Sequence, residues 1–131
     1  MTKKLWVGIG CQRHSPCLLI ELAIAQVCQS HHLPETAIVG IATLDRKVQE
    51  PGLVEYCRDR HLSLHSFTAH QLSQISTVGY SSRTQALVGC PSVAEAAALL
   101  VAPPGAKLCV HKQIFRHQHY LGGVTVAIAQ S

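Results

Sequence analysis

A short charged stretch, residues 45–50, holds the side chains of this sequence that are best suited to chemistry. Asp45, Arg46, Lys47 and Glu50 follow an apolar run that is typical of a buried strand. Ligands of open α/β sheets bind where strands end in loops. An arginine can hold a carboxylate through two hydrogen bonds, and a lysine supplies a point charge. The stretch therefore predicts either a binding loop for an anion or a solvated loop whose charges have no special role.

The two carboxylates of this stretch allow a second interpretation. Asp45 and Glu50 could orient the neighbouring cations, or they could act as a general acid and base. A separation of a few loop residues says nothing about their distance in space. Catalysis by Asp45 and Glu50 therefore remains an alternative to binding.

The end of the first predicted strand is another candidate site. Gly8 and Gly10 flank this end, and Cys11 and Arg13 follow in a loop that leads to a helix beginning at Ser15-Pro16, with Ser15 as the predicted N-cap and Pro16 at the first helical position. A strand, a glycine-containing loop and a helix N-terminus can cradle an anion, although the third glycine of the dinucleotide fingerprint is missing. Cys11 could be an activated thiol beside Arg13, but a packed thiol is the preferred interpretation.

Two further clusters have both a chemical and a structural explanation. Ser92 and Glu95 have capping-box spacing, and the loop before Ser92 makes the same helix start a possible second anion site. Three histidines near the C-terminal hairpin could approach a metal, but they lack the tight paired spacing of structural metal sites. We therefore predict no metal and no cofactor. These histidines are His111, His117 and His119.

Composition limits the class of protein. The 131 residues fit one domain, residues 1–131, with 47% apolar residues and a formal net charge of +4. A mild positive charge without a run of Lys or Arg suits a small anion and gives no indication of nucleic-acid binding. None of the six cysteines forms a C-x-x-C pair, and no signal or membrane segment is visible. The sequence predicts a cytoplasmic protein with reduced thiols and no membrane partner.

The pattern of elements predicts an α/β fold. Alternating strands and helices in the first half indicate a mostly parallel sheet with helices on both faces. The last two strands are joined by a segment too short for a crossover helix, which predicts a C-terminal antiparallel hairpin and hence a mixed sheet. The prediction is a single three-layer domain. Its predicted strands are Leu5–Ile9, Ala37–Thr43, His61–Phe67, Lys107–Lys112 and Val124–Ala129. Its predicted helices run from Ser15-Pro16 to His31-His32, from Pro51 to Arg60, from Ala69 to Ile75 and from Ala94 to Val101. In the second helix Leu53, Val54 and Cys57 are expected to face inward, and the third helix is expected to begin with a Thr68–Gln71 capping box.

Four motifs in order resemble a known family. They are Gly8-Ile9-Gly10-Cys11-Gln12-Arg13, then Ala42 to Lys47 with Glu50-Pro51-Gly52-Leu53, then Gly89 to Leu100, and finally Val124 to Ala129. In this order and spacing the sequence resembles the cobalamin-biosynthesis CobE / CbiG C-terminal domain family, over almost the whole chain.

The resemblance implies a compact α/β domain that acts at the corrin-ring stage of vitamin B12 synthesis. The longer members are cobalt-precorrin hydrolases, which open a lactone and release acetaldehyde. Binding of a precorrin or cobalt-precorrin intermediate is the leading hypothesis for a chain of this length. The alternatives are a lactone hydrolase with Asp45 or Glu50 activating water, and a module that docks on another corrin-pathway enzyme; a homodimer is also possible. Lys112 matches a lysine that recurs before the last strand. The expected substrate-binding residues are Gly8, Gly10, Cys11, Arg13, Thr43, Asp45, Arg46, Lys47, Glu50, Ser92 and Lys112.

Overall fold

The computed structural model of the protein describes residues 4–11, 15–44, 50–73, 93–118 and 123–131. In chain order these residues form β1 (Leu5–Cys11), α1 (Cys17–Ser30), β2 (Ile38–Leu44), α2 (Pro51–Asp59), β3 (Ser63–Phe67), α3 (Ala69–Ser73), α4 (Val93–Val101), β4 (Lys107–Arg116) and β5 (Gly123–Gln130). A single 3-10 turn, Glu35–Ala37, precedes β2.

The strands form one mixed sheet with the order β3-β2-β1-β5-β4. β1, β2 and β3 are parallel, whereas β5 runs antiparallel to both β1 and β4. The predictions of a mostly parallel first half and a C-terminal antiparallel hairpin are confirmed. The hairpin is an integral part of the sheet, because β5 lies between β1 and β4.

Side chains of β1 alternate between two helical layers. Leu5, Val7 and Ile9 belong to the main core with α1 and α2. Trp6 packs with α4 on the other face, and Gly8 lies directly beneath that helix. The period of two is that of a strand covered on both faces. The predicted three-layer α/β class is confirmed.

Small residues allow α4 to approach the sheet closely. A Cβ atom at Gly8 would collide with the backbone carbonyl of Ala94 and would lie 2.8 Å from the backbone nitrogen of Ala98. Ala94, Ala97 and Ala98 are themselves buried. Backbone packs on backbone at this point, so Gly8 is required for the position of α4.

Two details of the first helices were predicted incorrectly. Ser15 was expected to be the N-cap of α1, but Pro16 occupies the N-cap position in an extended conformation, without a side-chain capping bond. Val54 was expected to face inward, but it is 38% exposed and Tyr56 is fully buried instead. The buried face of α2 consists of Gly52, Leu53, Tyr56 and Cys57, a helical spacing that leaves Val54 outside.

Three further local predictions concern a capping box, the ends of two strands and the segment after α3. The backbone N–H of Gln71 donates to Thr68 Oγ1 at 3.1 Å, and the N–H of Thr68 donates to Gln71 Oε1 at 2.8 Å, so this capping box is confirmed. β1 continues to Cys11 and β4 to Arg116, further than predicted, because both strands pair there with β5. The polar residues 76–83, which the sequence predicts as an exposed loop, and residues 84–88, which it predicts as a helical turn, lie outside the described residues.

None of the described cysteines forms a disulfide bond; they are Cys11, Cys17, Cys28, Cys57 and Cys109. Burial raises the pKa of Cys28 to about 11 and that of Cys57 to about 11, which is the behaviour of thiols packed in a core. None of the helices in the described ranges is long and apolar enough to cross a membrane.

Candidate functional site

A cleft of about 340 Å³ opens at one edge of the sheet. It is surrounded by the carboxyl ends of β1 and β2, the N-terminus of α4, and the end of the β4–β5 hairpin at which β4 stops and β5 begins. Its lining residues are Ile9, Gly10, Cys11, Thr43, Leu44, Val93, Ile114, Arg116, Gly123 and Thr125.

The register of the sheet explains why these segments meet. In the parallel pair, Ile9 lies opposite Thr43, so β1 and β2 end at the same edge. The antiparallel β5 begins at that edge, with Val124 opposite Cys11. Arg116, at the end of β4, is placed there by its pairing with Gly123. This is the edge at which open α/β sheets bind ligands.

The cleft wall is mostly apolar, with one cation at its margin. Leu44, Val93 and Ile114 supply apolar surface, and Ile114 is 57% exposed. Within the described part of the wall, Arg116 is the single charged residue. A site with an apolar wall and few polar groups is the usual form of a small-molecule pocket.

Thr43 lies at the base of the cleft and joins its two strands. The side chain is fully buried, and its hydroxyl donates a hydrogen bond of 2.8 Å to the backbone carbonyl of Ile9. The hydroxyl therefore fixes β2 against β1 next to the cleft.

Replacing Thr43 with valine should lower the free energy of unfolding by about 1 kcal/mol, because this buried hydrogen bond is lost while the side-chain shape is kept. Urea unfolding measures the change. Thr36→Val, at an exposed position in the 3-10 turn, is the control and should stay within about 0.5 kcal/mol of the original protein. Equal stabilities of the two variants would contradict a structural role for the Thr43 hydroxyl.

Three of the predicted site residues line the cleft: Gly10, Cys11 and Thr43. Cys11 is only 8% exposed and also belongs to the main core, which favours the packed-thiol interpretation. The parallel pairing of β1 and β2 thus brings the ends of the two strands together, as the sequence predicted.

Three other predicted residues are described but do not line the cleft. Gly8 lies beneath α4, where it permits close packing. Glu50 is the N-cap residue of α2, where its carbonyl accepts the first helical hydrogen bonds. Lys112 is an exposed residue of β4. Ligand roles for these three remain predictions.

The remaining predicted residues lie outside the described ranges. Arg13 follows the cleft residue Cys11 by two positions, and Asp45 comes directly after the cleft residue Leu44. Their roles stay predictions, as do those of Arg46, Lys47 and Ser92.

A buried carboxylate supports the strand that carries Arg116. Glu95 is 2% exposed, and its Oε2 accepts a 3.2 Å hydrogen bond from the backbone N–H of Lys112. His111 Nδ1 lies 3.3 Å from the same oxygen. The register of β4 with β5 shifts between Val110 and Gln113, so Glu95 binds the strand where its ladder is irregular. The predicted cap partner, Ser92, is outside the described residues.

Sequence reasoning missed Arg116 and Ile114. The strand was expected to end at Lys112; Arg116 was assigned to the connecting segment Phe115–Leu121, and Ile114 was assigned to no element. The signal that could have revealed them is the hairpin itself: once β5 is placed antiparallel beside β1, the end of β4 must lie at the carboxyl edge of β1 and β2.

Possible metal ligands cluster elsewhere. In the described ranges, donor atoms of Cys17, Glu55 and Asp59 lie within 4.8 Å of one another, where the start of α1 faces α2. Exposed carboxylates often cluster without a metal, so this group alone does not define a site. The three histidines considered as metal ligands cannot be compared in space, because His119 lies outside the described residues. His111 contacts Glu95.

The fold and the cleft define the class of protein: an α/β domain with a cleft at the carboxyl ends of its central strands. Residues 5–129 match the family described as cobalamin synthesis G C-terminus, and the chain belongs to this family. It is a cobalamin-biosynthesis protein of the CobE/CbiG type.

Solved structures agree with this assignment. A cobalamin biosynthesis protein from Agrobacterium tumefaciens is 30% identical, with a TM-score of 0.74, over 95% of this chain and 96% of that one. CobE, from the cobalamin (vitamin B12) biosynthetic pathway, shares the fold with a TM-score of 0.76 at 23% identity, over 100% of this chain and 96% of its own. A cobalamin biosynthesis protein G homolog from Sulfolobus solfataricus shares the fold at 19% identity and a TM-score of 0.70, over 97% of this chain but only 36% of that longer chain. Comparison with curated protein sequences finds no significant match.

Proposed function

We propose that the cleft binds a precorrin or cobalt-precorrin intermediate of cobalamin biosynthesis. The observation that carries the proposal is the position of Arg116, a cation in a mostly apolar wall at the carboxyl edge of β1 and β2. Precorrins are flat, largely apolar macrocycles with carboxylate side chains. Apolar surface beside a guanidinium group suits both parts of such a molecule.

The dimensions of the cleft suggest how much of the ligand it receives. A volume of about 340 Å³ is near the lower limit for small-molecule sites. We therefore propose that the described cleft holds one edge of the macrocycle, with its carboxylate side chains directed to Arg116. The rest of the ring would extend over the surrounding loops.

The remaining cations in this proposal come from the loops that continue β1 and β2. Arg13 follows the end of β1, and Arg46 and Lys47 follow the end of β2. Several cations at one edge would match several carboxylates of the ligand. The net charge of +4 likewise favours an anionic ligand.

Replacing Arg116 with alanine should weaken the binding of a corrin carboxylate by about tenfold, because one charge-assisted hydrogen bond is lost. The test is a spectrophotometric titration with cobyrinic acid, a corrin that carries free carboxylates. Its full ester is the matched ligand: it should bind the original protein weakly and should be nearly insensitive to the substitution.

Arg58→Ala provides the protein control, since Arg58 is an exposed residue of α2 and does not line the cleft. Equal affinities of the Arg58 and Arg116 variants for cobyrinic acid would defeat the proposed role of Arg116. Failure of the acid to bind the original protein at all would defeat the binding function, and co-purification with a precorrin methyltransferase would then favour a docking module. Release of acetaldehyde from the lactone intermediate would show that the protein hydrolyses the lactone and does not only bind it.

A further inference from the structure

A second cleft, of about 260 Å³, lies at the amino end of β2. α2 and the 3-10 turn before β2 form its sides. The residues that line it are Glu35, Thr36, Ile38, Tyr56, Arg60 and Leu62. Because Ile38 is the first residue of β2 and Thr43 is near its last, the two clefts lie at opposite ends of this strand.

Tyr56 gives this cleft an unsatisfied donor. The side chain is fully buried, and in the described part of the chain its hydroxyl is the one buried side-chain oxygen or nitrogen without a hydrogen-bond partner. A buried hydroxyl in this condition is unfavourable, and native structures contain few of them. A ligand acceptor in the cleft would remove this cost.

The surroundings of Tyr56 determine the protonation state of its hydroxyl group. Burial raises the pKa of Tyr56 far above its ordinary value; the Arg60 charge opposes this shift, and the Glu35 carboxylate adds to it. The hydroxyl is therefore a protonated donor at all physiological pH values. Tyr56 and Glu35 both line the cleft.

The charges at the margin restrict the ligand. Arg60 lies over the Tyr56 ring, 4.3 Å from its centroid, and pairs with Glu21 at 3.2 Å. Its charge is thus already matched, and Glu35 adds a negative charge at the same margin. An anionic ligand would be repelled, whereas a neutral oxygen acceptor would not. Ile38 and Leu62 provide apolar surface for the body of such a molecule.

We propose that this cleft is a second binding site, which takes a small neutral molecule with an apolar body and one carbonyl oxygen that accepts a hydrogen bond from Tyr56. The site does not depend on the binding of a corrin intermediate at the first cleft, because the two clefts share no lining residue.

The test compares three probes of similar shape: benzamide, which is neutral and has a carbonyl; benzoate, which is charged; and toluene, which has no acceptor. Amide chemical shifts of the ¹⁵N-labelled protein are followed during titration. Benzamide should give saturable shifts in residues 35–38 and 56–62, with no change in residues 9–11 and 43–44. Benzoate and toluene should bind at least about fivefold more weakly, the expected effect of one hydrogen bond or one repulsive charge.

Tyr56→Phe is the matched variant, since it removes only the hydroxyl. Benzamide should bind this variant about fivefold more weakly, and toluene should bind both proteins equally. The melting temperature should be equal to or above that of the original protein, because no hydrogen bond is lost. Leu62→Trp should block all three probes by filling the cleft.

Three results would overturn the proposal. They are equal benzamide affinities of the original protein and the Tyr56→Phe variant, the absence of saturable benzamide shifts, and a crystal structure in which an ordered water occupies the tyrosine hydroxyl and is not displaced by benzamide. None of these results bears on cobyrinic acid binding at the first cleft, so the two proposals can fail separately.

Discussion

Replacing Gly8 with alanine is expected to lower the free energy of unfolding by about 3 kcal/mol, the upper part of the usual range for overpacking. The added methyl group would collide with the carbonyl of Ala94, and the backbone of Ala98 is close to the same point. These are backbone atoms of α4, so no side-chain rotation relieves the contact. The helix would have to move away from the sheet. Urea unfolding at equilibrium measures the loss.

Gly10→Ala is the matched control, two residues along the same strand. A Cβ atom at Gly10 would meet Thr125 Cβ at 3.6 Å, an ordinary van der Waals distance. This variant should remain within about 0.5 kcal/mol of the original protein. If both alanine variants were equally stable, the close approach of α4 to β1 would not be the reason for glycine at position 8.

The second large effect is expected at Glu95. Replacing this buried side chain with alanine should cost about 2–4 kcal/mol, since the N–H of Lys112 loses its acceptor and a cavity remains. Glu95→Gln keeps an acceptor oxygen and the volume, so it should cost less. Urea unfolding gives the stability, and hydrogen exchange of the Lys112 amide reports directly on the lost bond.

Glu55→Ala controls for the removal of a carboxylate, because Glu55 is exposed on α2. Its effect should be within about 0.5 kcal/mol. Unchanged stability of Glu95→Ala together with an unchanged exchange rate at Lys112 would show that the carboxylate does not hold β4. A loss of stability without faster exchange would assign the effect to packing alone.

The features that sequence predicted well depend on neighbours close in the chain. Thr68 and Gln71 cap α3 as their spacing indicated, because both partners of the capping box lie within one helical turn. The apolar runs at β1 and β2 identified buried strands, since strands covered on both faces contain few polar residues. The same runs placed Gly10, Cys11 and Thr43 at the edge where the cleft is found.

The features that were missed depend on contacts between distant segments. Tyr56 is inward and Val54 outward because α2 turns the face with Leu53, Tyr56 and Cys57 to the core; Val54 and Tyr56 are both compatible with an apolar face until the helix is packed. Arg116 joins the cleft only because β5 inserts between β1 and β4. Nothing near Arg116 in the sequence signals that insertion.

The place of β5 in the sheet has a consequence for how the chain reaches its folded state. β1 is synthesised before the other described strands of the sheet, yet one of its two neighbours is β5, the last of them, and Leu5 pairs with Gln130. During translation β1 can join β2, but its other edge stays open until residues 123–130 have left the ribosome. Because such distant pairing closes a long loop before it gains any contact, folding of this domain should be slow and should be completed only after β5 emerges. Until then, the free edge of β1 is available to other chains, and binding by a chaperone would protect it.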